Sequence, residues 1–441
     1  MVLAHAQLEG RTEGEQDMEN RIQYSRRDFL KTAGIAAGAL HNFSILGKKS
    51  DKKKRSFKVG LIGCGGRGNG AMENCIEAAQ YLGVDVELVA AADAFEDRVL
   101  DASKKFDLPA RSCFHGFDAY RKVVKSKADL VIMATPPNFR PLHLEACIHA
   151  GKHVFMEKPV AVDPPGARRV IAAGEKAKQK GLGIVAGTQR RHQKSYLGTY
   201  HAISNGAIGS IRGGVIYWCG GRLWFKKQNE GEADASYMTR NWTSFTEMSG
   251  DHIVEQHVHN IDVANWFLGR VPDSALGFGG RARRQTGNQF DFFSVDLDYG
   301  DGVHIHSMCR QINDCYNRVA EFFTGTTGTA WGGGKVDSET KVEIPPLEGH
   351  DNPYVQEHVD LLKSILEENP LNEARNVAES TMVAIMARIS AYTGKLVRFK
   401  EVMEIQGSPY YDLTLSPKAE EFETGPVTAP LDDIAAIPGA V

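Results

Sequence analysis

The sequence predicts an α/β protein of two domains, a parallel sheet flanked by helices and then a domain with a large, mostly antiparallel sheet. Up to residue 188, short apolar runs alternate with amphipathic stretches, as in a doubly wound sheet. From residue 189 the strand-like runs are longer and alternate with period two, which is typical of a sheet covered on one face. The length of 441 residues accommodates both domains.

In the first domain, residues 56–188, five buried strands are predicted from apolar runs bounded by glycine, proline or polar residues. They are residues 57–63, 86–93, 128–135, 152–159 and 182–188. Amphipathic helices are predicted between them, most clearly at 140–150 and 165–180.

The second domain is predicted over residues 189–400. Its strands are expected at 212–219, 290–299 and 302–309, and two helices at 355–368 and 377–392. Residues 401–441 contain five prolines and are predicted to form a tail that wraps the protein.

Composition excludes several classes of protein. A formal net charge of −3 provides no basic field for nucleic acid, so no nucleic-acid partner is expected. The seven cysteines are scattered without a CxxC pair, which argues against a disulfide framework and against a structural zinc site.

The N-terminal segment 1–55 is predicted to be a signal followed by a basic linker. Ser25–Lys31, SRRDFLK, resembles the twin-arginine export signal S-R-R-x-F-L-K at every specified position. The apolar stretch that follows is shorter than the roughly 20 residues of a membrane-spanning helix. Met18 is a candidate start of the chain, and a disordered basic terminus is the alternative. The resemblance implies the twin-arginine machinery as a partner, a periplasmic or otherwise exported location, and a chain that folds with its cofactor before export.

A glycine-rich turn of the pattern G-x-G-x-x-G directly follows the first predicted strand. The first glycine allows a tight turn, the second lets the backbone approach a pyrophosphate, and the third lets the next helix pack closely. The helix N-terminus then points at the phosphates. The pattern predicts a Rossmann dinucleotide-binding domain, with a structural turn that binds nothing as the alternative. The predicted cofactor-binding residues here are Gly63, Gly65, Gly66, Arg67 and Gly68.

An acidic residue, Asp93, ends the second predicted strand. A carboxylate at this position hydrogen-bonds the ribose hydroxyls and repels a 2′-phosphate, so it favours NAD over NADP. Arg98 lies near enough in sequence to reach a phosphate, which keeps NADP as the second choice.

The strand at 152–159 ends in Glu157-Lys158-Pro159. Because proline disfavours the α region for the residue before it, Lys158 is expected to be extended at the carboxyl end of the strand, where an open α/β sheet binds ligands. There a lysine can hold a substrate hydroxyl. An ordinary Glu-Lys pair at the start of a loop is the alternative.

These motifs together resemble the Gfo/Idh/MocA oxidoreductase family over about residues 57–400. The resemblance rests on the glycine turn, on ATPPNFRPLH at 134–143 and on AGKHVFMEKP at 150–159. It implies a Rossmann domain and a C-terminal α/β domain whose open sheet forms oligomer contacts, hence a homo-oligomer. It also implies roles along the cofactor and beside the nicotinamide for Thr135, Pro136, His143, Glu157 and Lys158.

A second family signature, an acid, a histidine four residues later and an acid three further, falls on Glu255, His259 and Asp262. On one continuous helix these three would share a face, opposite an apolar stripe. The resemblance implies that His259 exchanges a proton with the substrate hydroxyl and that Glu255 binds a neighbouring hydroxyl. Histidine suits this role because its pKa is near neutral pH. Asp262 is also assigned to substrate binding.

The sequence also predicts roles for other polar positions. In 187–192, Gln189 is predicted to bind the cofactor and Arg190 the substrate. The Arg/Trp-rich stretches 221–225 and 239–245 are predicted either to contact a sugar or to pack in an oligomer. His252, Glu255 and His259 have a spacing that could bind a metal, but no second cluster completes the site, so no metal is predicted.

The sequence therefore predicts a periplasmic, NAD-dependent oxidoreductase with a tightly bound cofactor, acting on a secondary alcohol of a sugar or glycoside. The catalytic residues are Lys158, His259 and Glu255. One alternative is a glycoside hydrolase that uses bound NAD transiently, as relatives in this superfamily do. In those relatives the lysine of the EKP motif is replaced, so Lys158 favours the dehydrogenase. A non-catalytic sensor is a third possibility, which Lys158 and His259 argue against.

Overall fold

A computed structural model of the protein describes residues 55–432. The SRRDFLK run and nearly all of the predicted signal and linker lie outside these residues, so the export signal stays a prediction. Among the helices of residues 55–432, none has the length and apolar character needed to cross a bilayer.

The N-terminal lobe is built on a six-stranded, fully parallel sheet with the order β3-β2-β1-β4-β5-β6. The order reverses between β1 and β4, and ligands of such sheets bind in the crevice at this point, outside the carboxyl ends of the strands. The strands are β1 Ser56–Ile62, β2 Asp85–Asp93, β3 Cys113–His115, β4 Leu130–Met133, β5 His153–Met156 and β6 Ile184–Ala186.

Five helices accompany this sheet, and the five predicted strands are all present. The helices are α1 Gly66–Leu82, α2 Glu96–Phe106, α3 Tyr120–Val124, α4 Arg140–His149 and α5 Pro164–Gln179. Strand β3 was not predicted, because three residues are too few to show a hydrophobic period.

The second lobe is built on an eight-stranded sheet with the order β13-β12-β11-β7-β10-β9-β8-β14. All neighbouring strands are antiparallel except β7 and β10, so the predicted fold class is confirmed. Its strands are β7 Ile211–Gly220, β8 Ser274–Gly280, β9 Phe292–Asp298, β10 His304–Gln311, β11 Arg318–Gly325, β12 Gly328–Trp331, β13 Val336–Ser338 and β14 Val397–Arg398.

One face of this sheet is covered by helices, chiefly α10 and α12, around a core of buried aliphatic and aromatic side chains. The helices of this part are α6 Lys194–Ser204, α7 Asp234–Arg240, α8 Thr246–Ser249, α9 His252–Glu255, α10 Val258–Leu268, α11 Pro353–Leu366, α12 Ala374–Thr393, α13 Phe399–Met403 and α14 Ala419–Thr424.

The two lobes share core, which the predicted boundary at residue 189 did not anticipate. Val355, Val359 and Leu362 of α11 are buried in the same cluster as Phe57 and Phe155 of the parallel sheet. The apolar face of α11 therefore belongs to the N-terminal lobe in space, although it is distant in sequence. A helix packs on whichever sheet face is uncovered, and sequence order does not reveal which one that is.

A histidine on this helix, His358, is completely buried against Phe155, with 4.0 Å between the ring centroids. Both of its ring nitrogens lack a hydrogen-bond partner in the protein. Burial, reinforced by the charges of Arg67 and His192, lowers the pKa of His358 to about 3. The folded protein therefore holds this imidazole neutral at every pH above that value.

We expect the substitution His358→Leu to remove an acid sensitivity of the fold. Between pH 6.5 and about 3 the unfolded chain binds a proton at His358 that the folded chain excludes, so stability falls as the pH is lowered. The free energy of unfolding of the variant, relative to wild type, should rise by about 1.4 kcal/mol per pH unit below 6.5. Urea denaturation at pH 7, 6 and 5 measures this. The variant His149→Leu, which removes an exposed imidazole, is the control, and a constant difference for His358→Leu would contradict the prediction.

Candidate active site

The glycine turn joins β1 to α1 in the manner the pattern predicts. Gly63 has a φ of 92°, and a Cβ on Gly68 would lie 1.8 Å from the carbonyl oxygen of Gly63. Gly65 is the N-cap of α1, and the Asn69 side-chain amide donates to the carbonyl of Cys64 at 3.1 Å. The N-terminus of a 17-residue helix thus begins directly at the turn, and its first N–H groups are available to a phosphate.

Asp93 lies beside this turn at the end of β2. Its carboxylate accepts the backbone N–H of Cys64 at 2.7 Å and that of Phe95 at 3.0 Å. Burial raises the pKa of Asp93, although the nearby Arg98 and these two hydrogen bonds lower it in part. A carboxylate offers about four acceptor positions, so capacity remains for the hydroxyls of a ribose.

A cavity of about 180 Å³ opens over the turn. Nine of the predicted cofactor-binding residues line it: Gly63, Gly65, Gly66, Arg67, Gly68, Asp93, Thr135, Pro136 and His143. The lining residues that the sequence did not predict include Gly116, Phe117, Tyr120, Trp224, Thr239 and Trp242. The glycine turn, the acid and the open cavity fit a dinucleotide, since side chains do not fill the space that a pyrophosphate requires.

His143 forms part of the cavity wall as a neutral imidazole. Burial lowers its pKa to about 3, and the charges of Arg121 and Arg140 add to this effect. Its ring contacts that of Tyr120, with 4.1 Å between centroids and 32° between planes, and its Nδ1 lies 3.4 Å from the hydroxyl of Thr135.

Arg67, Glu157 and Gln189 form a second group next to the turn. The Arg67 Nε lies 2.9 Å from Glu157 Oε1, an ion pair whose angle is poor for a hydrogen bond. The guanidinium also lies over the ring of Tyr354 at 5.1 Å, and the Gln189 side-chain amide is 3.5 Å from the Tyr354 hydroxyl. Neither Glu157 nor Gln189 lines the cavity. Arg67 is therefore directed toward Glu157 as well as toward the cavity.

Lys158 follows β5 by two residues and reaches the second lobe. Its Nζ donates to the backbone carbonyl of Glu255 at 2.7 Å and lies 3.3 Å from Glu255 Oε1. The two side chains are 13% and 12% exposed, so the ion pair is largely shielded from water. Glu255 Oε2 is buried and has no partner within the protein. This oxygen is free to accept a hydrogen bond from a ligand.

His259 lies near Lys158, close enough for the charge of the lysine to act on its imidazole. Burial lowers its pKa well below the ordinary value, and the charges of Lys158 and Arg190 lower it further. Its ring stacks on Trp218 with 5.5 Å between centroids and 19° between planes, and its Nδ1 is buried without a partner. The structure therefore brings Lys158, Glu255 and His259 together, and the imidazole is neutral at neutral pH. Trp218 was not predicted as part of the site.

The signature does not lie on one continuous helix, which was the condition for Glu255, His259 and Asp262 to share a helix face. Helix α9 ends at Glu255 and α10 begins at Val258. Between them, His257 is completely buried, and its Nε2 is 2.8 Å from the Ser307 hydroxyl of β10. This buried side-chain contact anchors the junction to the sheet, so the helical angles calculated from the sequence do not apply across it.

The predicted substrate-binding roles of Asp262 and Arg190 are not supported. Asp262 is 1% exposed, and Arg191 donates two hydrogen bonds to its carboxylate at 2.8 and 2.9 Å. Ser380 donates a third at 2.8 Å. The guanidinium of Arg190 is ion-paired with the buried Glu321. Both side chains are bound by partners within the protein.

The metal alternative gains no support from the geometry. His252 turns its Nδ1 to Asp251 at 2.9 Å and packs on Phe293. Over residues 55–432, no three His, Cys, Asp or Glu side chains are grouped closely enough to hold a metal ion.

Comparison with known proteins agrees with this geometry. Residues 57–184 match the model of the oxidoreductase family with an NAD-binding Rossmann fold, and residues 197–331 match the GFO/IDH/MocA C-terminal domain. The chain is 28% identical over 189 residues to an uncharacterised oxidoreductase of Streptococcus pneumoniae, covering 41% of this chain and 45% of that protein. It is 27% identical over 252 residues to an inositol 2-dehydrogenase of Burkholderia ambifaria, covering 57% of this chain and 66% of that protein. The matched segments thus span about half to two thirds of these relatives.

The fold also matches solved structures. The scyllo-inositol dehydrogenase of Lactobacillus casei, solved with NAD(H) and scyllo-inositol, superposes with a TM-score of 0.60 at 18% identity, covering 78% of this chain and 99% of that one. The prediction of an NAD-binding Rossmann domain is confirmed. The chain belongs to the Gfo/Idh/MocA family of NAD-binding oxidoreductases.

Proposed function

We propose that this protein is an NAD-dependent oxidoreductase that interconverts a secondary alcohol and a ketone on a sugar, glycoside or cyclitol. The observation that carries the proposal is the meeting of Lys158, Glu255 and His259 at the carboxyl edge of the parallel sheet. Each of these residues offers a polar atom to a ligand, and the lysine and carboxylate are paired across the two lobes.

The roles follow from the chemistry of each group. The Lys158 ammonium donates a hydrogen bond to the oxygen of the reacting alcohol and stabilises negative charge on it. His259 is neutral at neutral pH because of burial and the neighbouring Lys158, so it can accept the hydroxyl proton as a base. The unpartnered Glu255 Oε2 accepts a hydrogen bond from a second hydroxyl. Bound NAD supplies the hydride acceptor.

Two further observations support a polyol substrate. The relatives named above include an inositol 2-dehydrogenase, which acts on a ring carrying adjacent hydroxyls. Trp218 stacks on His259 beside the site, and an indole is a suitable platform for the apolar face of a sugar ring.

The cofactor is proposed to stay bound through turnover, and the location to be periplasmic. SRRDFLK supports export of a folded chain by the twin-arginine machinery, and no nicotinamide pool is expected outside the cytoplasm. A retained cofactor is then reset in place by a second sugar or another electron carrier.

Mass spectrometry of the purified protein, followed by product analysis with a panel of sugars, glycosides and inositols, tests the proposal. We expect bound NAD and a keto product that is two mass units lighter than its substrate. Release of free sugar from a glycoside would support the hydrolase alternative instead. Absence of both dinucleotide binding and product would overturn the proposal.

We also propose a homo-oligomer formed through the open face of the eight-stranded sheet. Leu276 and Phe278 of β8 are 51% and 66% exposed on that face, and the adjacent His304 and His306 pair with Asp296 and Ser294 across the strands. An exposed apolar patch of this kind is typical of a protein interface. Light scattering that gives a monomer mass at micromolar concentration would contradict this assembly.

A further inference from the structure

The cavity over the glycine turn is closed on one side by the second lobe. Trp224, Thr239 and Trp242 of the second lobe line it, as do Asp93 and Phe117 of the N-terminal lobe. The two indoles meet edge to face with 6.1 Å between their centroids, and Trp224 is 48% exposed. The sequence predicts a sugar contact or an oligomer contact for these tryptophans, but the structure places them at the cavity over the glycine turn.

The part of the dinucleotide that they face follows from Asp93. In Rossmann domains the acid at the end of the second strand binds the adenosine ribose. The N–H of Gly116, which follows β3, donates to the carbonyl of Asp93 at 3.0 Å. Gly116 and Phe117 line the cavity, whereas Lys158 does not. Arg240, which lies between Thr239 and Trp242 in the chain, contacts Phe95 and Asp97 just after Asp93. We infer that the indoles lie near the adenosine half, where a flat purine base can stack on them.

Hydrogen bonds connect the two chain segments that carry Trp224 and Trp242. Asn241, which is 1% exposed, donates through its amide to the carbonyl of Lys226 at 3.0 Å and accepts the N–H of Lys226 at 2.7 Å. The Trp224 indole N–H donates to the carbonyl of Arg240 at 3.1 Å. The irregular segment after β7 and the end of α7 are thus one unit.

This unit is fixed to the Rossmann lobe by Arg240. Its guanidinium lies 3.2 Å from Asp97 on α2 and 3.8 Å from the ring centroid of Phe95. The pair is partly exposed, 31% for Arg240 and 61% for Asp97, so its attraction is sensitive to salt.

The C-terminal tail contacts both this unit and the wall of the cavity. Phe422 of α14 packs on Phe117, a cavity residue, with 5.4 Å between the rings. Further along, the N–H of Ala429 donates to Asp234 at 2.8 Å, and the Tyr237 hydroxyl donates to Asp432 at 3.3 Å. Both Asp234 and Tyr237 belong to α7, so the tail connects α7 to the cavity wall.

We propose that Trp224 and Trp242 form a lid over the adenosine half of the bound dinucleotide, fastened by the Arg240–Asp97 pair and by the C-terminal tail. The lid holds the cofactor in the protein between turnovers. This inference rests on the proposed function, because it explains how an oxidoreductase keeps its cofactor.

The test is the rate of NADH release from the full-length protein reloaded with NADH. The protein is mixed rapidly with excess NAD, and the fluorescence of the reduced nicotinamide is followed. The double variant Trp224→Ala/Trp242→Ala should release NADH roughly 10- to 100-fold faster, from the loss of one or two stacked aromatic contacts. Arg240→Ala should release it a few-fold faster.

Salt provides a second measurement. Raising NaCl from 0.05 to 0.5 M should speed release from wild type but not from Arg240→Ala, because the variant lacks the screened pair. The control is Arg270→Ala, which removes a comparable exposed pair with Asp301, 3.1 Å long. If the double variant does not fold, Arg240→Ala and its salt response decide the question.

Release rates equal to wild type in both lid variants would overturn the lid. Failure of the proposed function would give a different result. NADH would be released slowly from wild type and faster from the lid variants, which supports the lid, but none of the proteins would oxidise an alcohol.

Discussion

Replacing Lys158 with methionine is expected to lower kcat by about 10³-fold or more while NAD remains bound. The variant removes the ammonium that we assign to the reacting oxygen and leaves Glu255 without its ion-pair partner. Loss of a positioned proton donor or acceptor typically lowers rates by about 10²–10⁴-fold. The cavity over the glycine turn does not include Lys158, so the adenosine half of the cofactor keeps its contacts. Steady-state kinetics and the NAD content of the purified variant measure the two effects.

His259→Asn should give a similar loss of turnover, again with NAD bound, because its neutral imidazole is the proposed base. The control is Lys194→Met, which removes a lysine paired with the exposed Asp351 at 2.7 Å. Full activity in Lys158→Met and His259→Asn would refute the assignment of the site. Loss of NAD in both would point to a structural role instead.

The second large effect is expected from Gly68→Ala. A Cβ at this position would lie 1.8 Å from the carbonyl oxygen of Gly63, so the turn must move. We expect unfolding stability to fall by about 1–3 kcal/mol, as in overpacked cores. NAD affinity should fall by about 100-fold, the equivalent of one or two charge-assisted hydrogen bonds to phosphate.

The matched control lies two residues further along the same helix. A Cβ on Gly70 would have only the Arg67 guanidinium carbon near it, at 4.0 Å. Gly70→Ala should therefore keep NAD and stabilise α1 by up to about 1 kcal/mol. Calorimetric titration with NAD and thermal unfolding of both variants test the pair. Equal NAD affinity in the two variants would show that the turn does not hold the pyrophosphate.

Much of the first lobe could be predicted from the sequence, because its signals are local. The five predicted parallel strands each contain a short run of buried apolar residues, since both faces of such a sheet are covered. The glycine turn and Asp93 are predictable for the same reason: a tight turn at a fixed distance from a strand demands particular residues whatever surrounds it. Strand β3 is the exception, because Cys113–His115 is too short to carry a pattern.

In the second lobe, local sequence patterns do not predict which polar side chains are available to a ligand. The resemblance to a family signature points to Glu255 and His259, yet the helix expected to connect them is broken at Gln256 and His257. Asp262 has the expected place in the signature, but its carboxylate is occupied by Arg191 and Ser380. Hydrogen-bond partners more than 70 residues away decide whether a polar side chain is free for a ligand, and a one-dimensional pattern does not contain them.

By itself, the sequence determined the class of fold and the dinucleotide turn, because strand period and glycine geometry are properties of neighbouring residues. Its resemblance to the family signatures made Lys158, Glu255 and His259 candidates for the site. The tertiary structure alone decided that these three meet, that α11 completes the core of the first lobe, and that Trp224 and Trp242 reach the cofactor cavity. Those outcomes depend on which distant surfaces bury each other, and burial is a property of the packed molecule.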